Sequence, residues 1–321
     1  MDRSAVLERK IRSTFAPCSL GAWPTPLMAR AELARALGLE ALWLKREDLA
    51  GGNKVRGLEF LLAGAPARSV FVTVGGTGSS HCLATARAAK HLGHRTALAL
   101  FPQPETDASS QVSRAMADAA DLVMRASSIA TLPWALLRVW RAAHRIAEGG
   151  GRPHWIPGGG ADPRAVLGHF LAALELGAQL DTPPPPDAIV VPLGTGGTAA
   201  GIALAVAWLG WSTDVVGVRV APAIVANRWR TTRLARRAAA LIRGAGIEFA
   251  VSQAAIRVRV VAAMGQGYGH PTVEGERATR VAAEHGLQLD PTYGAKAFSV
   301  FVQRADLNVK RAVFWNTFAW P

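Results

Sequence analysis

Short continuous apolar segments alternate along the chain with segments whose apolar residues recur at helical spacing. The apolar segments lie at 41–48, 69–76, 95–101, 188–197 and 214–221. The helical segments lie at 54–64, 79–93, 108–120 and 198–210. Uninterrupted Val, Ile and Leu are typical of strands in parallel sheets, because helices cover both faces of such a sheet. The alternation therefore predicts an α/β fold with parallel strands.

The composition is that of a large globular protein. Half of the 321 residues are hydrophobic, which suffices for one large domain or two linked domains. The two cysteines, Cys18 and Cys82, indicate no disulfide framework and favour a reducing environment. The first residues lack the apolar core of a secretory signal, and the longest apolar run, 201–211, is shorter than the ~18 residues that a membrane span needs. We expect a cytoplasmic protein that does not bind a membrane.

The formal net charge of +13 raises the question of a nucleic-acid partner. Arginines are concentrated at 227–244 and 136–145. Arg230, Arg233 and Arg237 follow helical spacing, as on the solvated face of an ordinary helix. Because no nucleic-acid motif accompanies the charge, we predict no nucleic-acid partner.

A glycine-rich loop precedes the helical segment that begins at 198. It consists of Gly194, Thr195, Gly196, Gly197 and Thr198. The first N–H groups of a helix lack intrahelical partners, and glycines let the backbone close around an anion there. The loop is therefore a candidate phosphate site, with threonine hydroxyls as further donors. The alternative is a tight turn that binds nothing.

Two nucleotide-binding motifs fit this loop poorly. Gly194, Gly196 and Ala199 match the spacing of a dinucleotide fingerprint, and Asp214 lies at about the distance of its ribose-binding acid. That acid should close the second strand, whereas Asp214 precedes it. The loop also lacks the lysine of a Walker motif, so a nicotinamide-dependent dehydrogenase is a weak alternative.

A second strand–loop–helix unit brings Ser79, Ser80 and His81 to the start of a helix. Its amides and hydroxyls could bind a carboxylate, although a serine N-cap in an ordinary turn has the same pattern. Lys54 follows two glycines and Asn53, and it begins another helix. A phosphate loop, a carboxylate site and a lysine on a rigid turn are the components of an enzyme whose lysine condenses with the aldehyde of pyridoxal phosphate.

Several segments, spread over most of the chain, carry a family resemblance. They are WPTPLMARAELARALG, LWLKREDLAGGNKVRGLEFLL, GGTGSSHCLATARAAKHLG, IPGGGADPRAVLGHFLAALELGAQL, VPLGTGGTAAG, GYGHPTVEGERATRVAAEHGLQLDPTYGAKAF and AVFWNT. The GGNK motif, the threonine-rich loop and LDPTYGAKA are specific in combination. The chain resembles the fold-type II pyridoxal-phosphate enzymes, and among them the family of 1-aminocyclopropane-1-carboxylate deaminase and D-cysteine desulfhydrase.

The resemblance implies a two-domain subunit like that of the tryptophan synthase β chain, with parallel sheets flanked by helices. We expect a large domain from 1–55 and 164–321 and a smaller inserted α/β domain from 56–163, with the cofactor between them. A homodimer is expected as well. The proline run at 181–187 predicts a stiff surface connector within the large domain.

Family roles transfer to matching positions of this sequence. Lys54 resembles the Schiff-base lysine, which then carries a proton, and Asn53 is similar to the asparagine beside it. The loop at 194–198 looks like the phosphate site. Ser79 matches the serine that contacts the substrate carboxylate, and Ser80 and His81 belong to the same loop.

The chain contains two tyrosines, and both fall in family motifs. Tyr268, in GYGHPT, and Tyr293, in DPTYGAK, match active-site tyrosines. Tyr293 is a candidate acid, base or nucleophile. The alternative for each tyrosine is a core aromatic whose hydroxyl is satisfied.

Departures from the family pattern bear on the substrate. Gly294 stands where the deaminase branch carries a glutamate at the pyridine nitrogen, and Thr317 matches the threonine of desulfhydrase-like members. A hydroxyl protonates this nitrogen less than a carboxylate would, so the electron sink is weaker. This favours elimination of a good β-leaving group over opening of a cyclopropane. Further departures are Gly57, Ser80, Asn316, Phe318 and Ala319.

The expected reaction is a β-elimination on a small amino acid, D configuration included, that releases ammonia and a keto acid. Racemization, β-replacement and cyclopropane opening stay open as alternatives, as does a catalytically weak protein that binds pyridoxal phosphate. His91 and His94 are three residues apart, but no further ligands accompany them, so no metal is predicted.

Overall fold

Helices and strands alternate over the residues that the computed structural model describes, which are 3–148, 150–180, 184–303 and 309–321. The helices are α1 (Arg3–Phe15), α2 (Ala31–Ala36), α3 (Lys54–Leu61), α4 (Ser80–His91), α5 (Asp107–Ala119), α6 (Leu132–Ile146), α7 (Pro163–Gln179), α8 (Gly197–Leu209), α9 (Arg228–Gly244), α10 (Val273–Glu284) and α11 (Gly294–Gln303). The strands are β1 (Leu27–Ala29), β2 (Ala41–Arg46), β3 (Val70–Gly76), β4 (Arg95–Phe101), β5 (Leu122–Arg125), β6 (Pro153–Trp155), β7 (Ala188–Leu193), β8 (Asp214–Arg219), β9 (Arg259–Ala262) and β10 (Arg311–Asn316). Short 3₁₀ turns lie at Glu47–Ala50 and Gly158–Gly160. The beginning of the predicted proline connector, residues 181–183, lies outside the described residues.

The strands form two sheets with helices packed on them. The larger sheet has the order β1-β2-β10-β7-β8-β9, and the smaller has the order β5-β4-β3-β6. Neighbouring strands are parallel throughout, except that β1 runs antiparallel to β2. This confirms the predicted α/β fold with parallel sheets. The three-residue β1 is too short to carry a hydrophobic period, which is why the pattern did not predict it.

Two elements end earlier in the structure than the apolar pattern predicts, and a glycine follows each of them. The strand predicted at 188–197 ends at Leu193, because Gly196 adopts a φ of +92° before α8 begins. The helix predicted at 54–64 ends at Leu61, ahead of Gly64 with a φ of +70°. Positive φ is accessible to glycine without strain, so these residues set the chain reversals.

The larger sheet takes its strands from both ends of the chain, and the smaller sheet takes β3 to β6 from between them. The expected domain limits at 55/56 and 163/164 stay predictions. α3 packs closely on α7, since a Cβ at Gly57 would lie 3.0 Å from the Cβ of Ala165. The Cβ of any larger residue at Gly168 would lie 2.0 Å from the carbonyl oxygen of Arg56.

A buried ionic cluster fastens β2, α3 and α7 together. Arg56 Nε donates to Glu47 Oε2 at 2.7 Å, and Arg56 Nη1 donates to Glu175 Oε2 at 3.0 Å. Lys45 Nζ also donates to Glu175. Two cations face two carboxylates, so the charges of the cluster balance. Removing one partner would leave an unpaired buried charge, which is strongly destabilising.

α8 is buried on all sides along its first ten residues, 197–206. Such a helix is held by apolar packing against α7 and α9 rather than by an amphipathic stripe. Its first turn is therefore fixed within the protein interior. In the described part of the chain, no helix combines the length and the apolar character needed to cross a membrane.

Candidate active site

A cavity of about 320 Å³ lies where several parallel strands end at their carboxyl termini. Gly75 and Gly76 close β3, Phe101 closes β4, and Gly194 follows β7. Ligand sites of open α/β sheets occur at this edge. Every site residue predicted from the sequence lines the cavity: Asn53, Lys54, Ser79, Ser80, His81, Gly194, Thr195, Gly196, Gly197, Thr198, Tyr268, Tyr293 and Thr317.

Lys54 follows a glycine turn, begins α3 and lines the cavity. Gly51 and Gly52 have φ values of +80° and +90°, and a Cβ at Gly52 would lie 3.1 Å from the carbonyl oxygen of Thr317. Lys54 Nζ donates to the carbonyl oxygen of Gly159 at 3.2 Å. Burial lowers the pKa of Lys54 to about 8. Roughly a tenth of the amine is then uncharged at pH 7, so the residue is far more nucleophilic than a surface lysine.

The phosphate-loop candidate is tied to the lysine turn. Asn53 Nδ2 donates to Thr198 Oγ1 at 2.7 Å. α8 begins at Gly197 without a side-chain cap. The backbone at Gly196 approaches Thr231 so closely that a Cβ would lie 2.7 Å from its Oγ1, whereas a Cβ at Gly194 would have no heavy atom within 4 Å. Uncapped N–H groups, a positive helix end and open space beside a glycine fit a phosphate group.

The second predicted loop presents serines at the start of α4. Ser79 is the N-cap, and its Oγ accepts the N–H of Cys82 at 3.3 Å. The packing requires glycine at the end of β3, because a Cβ at Gly75 would lie 2.5 Å from Ser79 Oγ. Ser80, the first residue of α4, lines the cavity. Two hydroxyls at a helix N-terminus are donors suited to a carboxylate.

His81 is a neutral member of the same loop. Its Nε2 pairs with Thr73 Oγ1 at 3.0 Å, while its Nδ1 is buried without a hydrogen-bond partner among the described residues. Burial and then the positive charge of Lys54 lower the pKa of His81 to about 3. The imidazole therefore carries no charge at neutral pH and adds polarity rather than charge to the site.

The two tyrosines meet at the cavity wall, where the hydroxyls of Tyr268 and Tyr293 are hydrogen-bonded to each other. Burial raises the pKa of Tyr268 to about 12 and raises the pKa of Tyr293 well above its ordinary value. Both hydroxyls are therefore protonated at neutral pH, and in the bond between them one donates and the other accepts. Sequence reasoning brought both tyrosines to the site but did not predict that they contact each other.

Asp290 holds the start of α11, and sequence reasoning missed it. Its Oδ1 accepts the N–H groups of Thr292 at 3.0 Å and Tyr293 at 2.7 Å, and its Oδ2 accepts that of Gly294 at 2.8 Å. Burial raises the pKa of Asp290 to about 6. An aspartate just before a helical segment is a capping signal that could have identified it.

The C-terminal departures complete the wall around Tyr293. The ring of Phe318 stacks on that of Tyr293 with a centroid distance of 6.5 Å. The preceding Thr317 lines the cavity, and its carbonyl oxygen accepts the N–H of Asn53 at 3.1 Å. The segment after β10 is therefore part of the site, although its sequence departs from the family motif.

A wider groove of about 650 Å³ borders the other side of the lysine turn. It shares Asn53, Lys54, Ser80 and Thr317 with the cavity but includes neither the loop at 194–198 nor Tyr293. The smaller cavity therefore contains the complete set of candidate groups.

Comparison with families of known proteins identifies the family of the chain. The profile described as "Pyridoxal-phosphate dependent enzyme" matches residues 18–317. The chain belongs to this family of pyridoxal-phosphate dependent enzymes, and its cofactor is pyridoxal phosphate. The predicted cofactor and enzyme class are confirmed.

Individual relatives show which members of the family the chain is similar to. The chain is 34% identical to the nocardicin C-9′ epimerase of Nocardia uniformis subsp. tsuyamanensis over 85% of each chain. It is 32% identical to the D-cysteine desulfhydrase of Salmonella schwarzengrund over 86% of this chain and 84% of that protein. A solved structure titled as an ACC deaminase homologue superposes with a TM-score of 0.78 at 28% identity, covering 96% of this chain and 94% of the other. The resemblance to the deaminase and desulfhydrase family is confirmed.

Proposed function

We propose that the enzyme removes a β-substituent from a small amino acid, as a D-cysteine desulfhydrase does, and releases ammonia and a keto acid. The observation that carries this proposal is the absence of an acidic side chain at Gly294, where the deaminase branch carries a glutamate. No aspartate or glutamate is among the described residues that line the cavity. A side chain at Gly294 would also collide with the site's framework, since its Cβ would lie 2.9 Å from Asp290 Oδ2.

The residues that would hold the cofactor are the three groups already described. The loop at 194–198 would bind its phosphate, Lys54 its aldehyde carbon, and the hydroxyl of Thr317 its ring nitrogen. When bound, pyridoxal phosphate withdraws electrons from the substrate's α carbon. A neutral threonine at the ring nitrogen limits this withdrawal, so a substrate with a good leaving group is favoured.

The protein's own groups bind the substrate and move its proton. The hydroxyls of Ser79 and Ser80 and the first N–H groups of α4 would bind the α-carboxylate. Lys54 Nζ would accept the α proton, which its lowered pKa allows at mildly alkaline pH. The hydroxyl of Tyr293, held by Tyr268, would donate a hydrogen bond to the departing sulfur.

The test is product formation by the purified holoenzyme. With D-cysteine we expect pyruvate, sulfide and ammonia in equal amounts, and the Lys54→Ala variant should form none of them. Conversion of 1-aminocyclopropane-1-carboxylate at a higher kcat/KM than D-cysteine would refute the proposal. The absence of pyruvate from both enantiomers of cysteine and of its thioethers would refute it as well.

Epimerization at the α carbon is a second candidate, favoured by the 34% identity to an enzyme named as an epimerase. Lys54 and Tyr293 are two proton-bearing groups that line one cavity, as inversion of a carbon centre requires. In D₂O, epimerization predicts α-deuterated product of the opposite configuration without keto acid. Retention of configuration would exclude it. The expected homodimer and cytoplasmic location stay predictions.

A further inference from the structure

The part of the cavity that none of the proposed catalytic roles uses is apolar. Four separate segments contribute to its wall: the end of β4, the loop before α6, the loop after β8, and the segment after β10. They provide Phe101, Ile129, Pro222, Val225 and Phe318, and further apolar residues of the lining are Val74, Pro192, Ala199 and Ala221. Ile129 is 70% exposed although it lines the cavity, so the apolar wall extends to the mouth.

The cavity offers no charged partner to a substrate side chain. Among the described residues that line it there is no aspartate, glutamate or arginine. Among the described lining residues, Lys54 is the one whose side chain is mostly charged at neutral pH, and the cofactor would engage it. A charged substituent placed against this wall would lose hydration without gaining a partner, which is costly.

An apolar substituent would gain free energy at the same wall, because it would cover Ile129 and Val225 and remove their surface from water. The thiol of cysteine is a small group and would cover little of an apolar wall that includes the exposed Ile129. A wall built from loops far apart in the sequence, with one exposed isoleucine at its end, fits a substrate whose β-substituent continues beyond the sulfur.

We propose that the preferred substrates are cysteine thioethers with an apolar group on sulfur, an inference that rests on the β-elimination proposed above. The Cβ–S bond breaks and its electron pair leaves with sulfur, while the α proton passes to Lys54 Nζ and the sulfur takes up a proton. Water then converts the released enamine into pyruvate and ammonium. The products are an apolar thiol, pyruvate and ammonium, and no oxidant or reductant is needed.

The experiment compares four substrates, each in both configurations, by pyruvate release from the holoenzyme: cysteine, S-ethylcysteine, S-benzylcysteine and S-carboxymethylcysteine. We expect kcat/KM for the S-benzyl compound to exceed that for cysteine and for the charged S-carboxymethyl compound by at least about tenfold, the scale of burying one apolar side chain. The variant Ile129→Ser should lower the ratio of S-benzylcysteine to cysteine turnover by about tenfold.

The matched control is Ile224→Ser. Ile224 is 79% exposed and belongs to the loop after β8, but it does not line the cavity. This variant should leave the substrate ratio unchanged.

Equal kcat/KM for the S-benzyl and S-carboxymethyl compounds would overturn the inference, as would an equal effect of Ile129→Ser and Ile224→Ser. Pyruvate from cysteine but from no thioether would overturn the inference and leave the elimination standing. Pyruvate from none of the four would overturn both.

Discussion

The charge on Asp290 should make the holoenzyme's stability depend on pH in a way that an asparagine removes. Burial raises the pKa of Asp290 from 3.8 to about 6, despite three accepted N–H bonds. The folded state therefore holds this proton more tightly than the unfolded state does. The stability that this proton contributes to the free energy of unfolding is fully present below pH 3.8 and is lost as the pH rises through the folded pKa.

The size of this effect follows from the two pKa values. Their difference of about 2 corresponds to about 3 kcal/mol, of which about 1.4 kcal/mol is lost between pH 5 and pH 8. The variant Asp290→Asn lacks this loss. The asparagine keeps one carbonyl oxygen that can accept the N–H groups of Thr292 and Tyr293. Its amide nitrogen, however, would face the N–H group of Gly294 donor to donor, which lowers the free energy of unfolding by about 1–3 kcal/mol at every pH.

The assay is urea unfolding of both holoproteins at pH 5, 6.5 and 8, followed by tryptophan fluorescence. The stability of the variant relative to the parent should rise by about 1.4 kcal/mol from pH 5 to pH 8. Asp121→Asn is the control, since Asp121 also accepts a backbone N–H, that of Thr96 at 2.8 Å, but is exposed. A stability difference that stays constant with pH would refute the assignment of a buried charge at Asp290.

Three further predictions concern the lysine turn. In the proposed function, Lys54 reacts with the cofactor in its uncharged form. The rate at which the apoprotein incorporates pyridoxal phosphate, followed by absorbance, should therefore rise with pH and level off above about 8. A flat profile from pH 6 to pH 9 would contradict this. Asn53→Ala removes the bond to Thr198 and should weaken cofactor binding about 5- to 30-fold, equivalent to about 1–2 kcal/mol, whereas an unchanged dissociation constant would show that the bond does not support the loop. Gly57→Lys should lower the free energy of unfolding by about 1–3 kcal/mol in denaturant titrations, because its side chain would meet Ala165; a stable variant with tighter cofactor binding would contradict the packing argument.

Features encoded by local sequence were predictable, and features assembled from distant loops were not. Apolar runs such as that at 188–193 identify buried strands, and glycine turns such as that before Lys54 identify the ends of helices that face a ligand. The position of Asp290 just before a helical segment is a local signal for capping. Which N–H groups its two carboxylate oxygens accept is defined only by the folded turn. The apolar wall has no signal, because Ile129 and Val225 stand in irregular segments where neither residue belongs to a period.

Two departures from the family pattern, Gly57 and Phe318, lie in different parts of the structure. At Gly57, α3 packs on α7, and the buried cluster around Arg56 holds the start of α3 in place. The bond from Asn53 to Thr198 ties the lysine turn to the loop at 194–198 without involving residue 57. Phe318, in contrast, stacks on Tyr293 in the wall of the cavity. The changes therefore leave the contact between the lysine turn and the loop at 194–198 intact and alter the wall of the cavity. Under the function proposed above, this argues for a shifted specificity rather than for a lost activity.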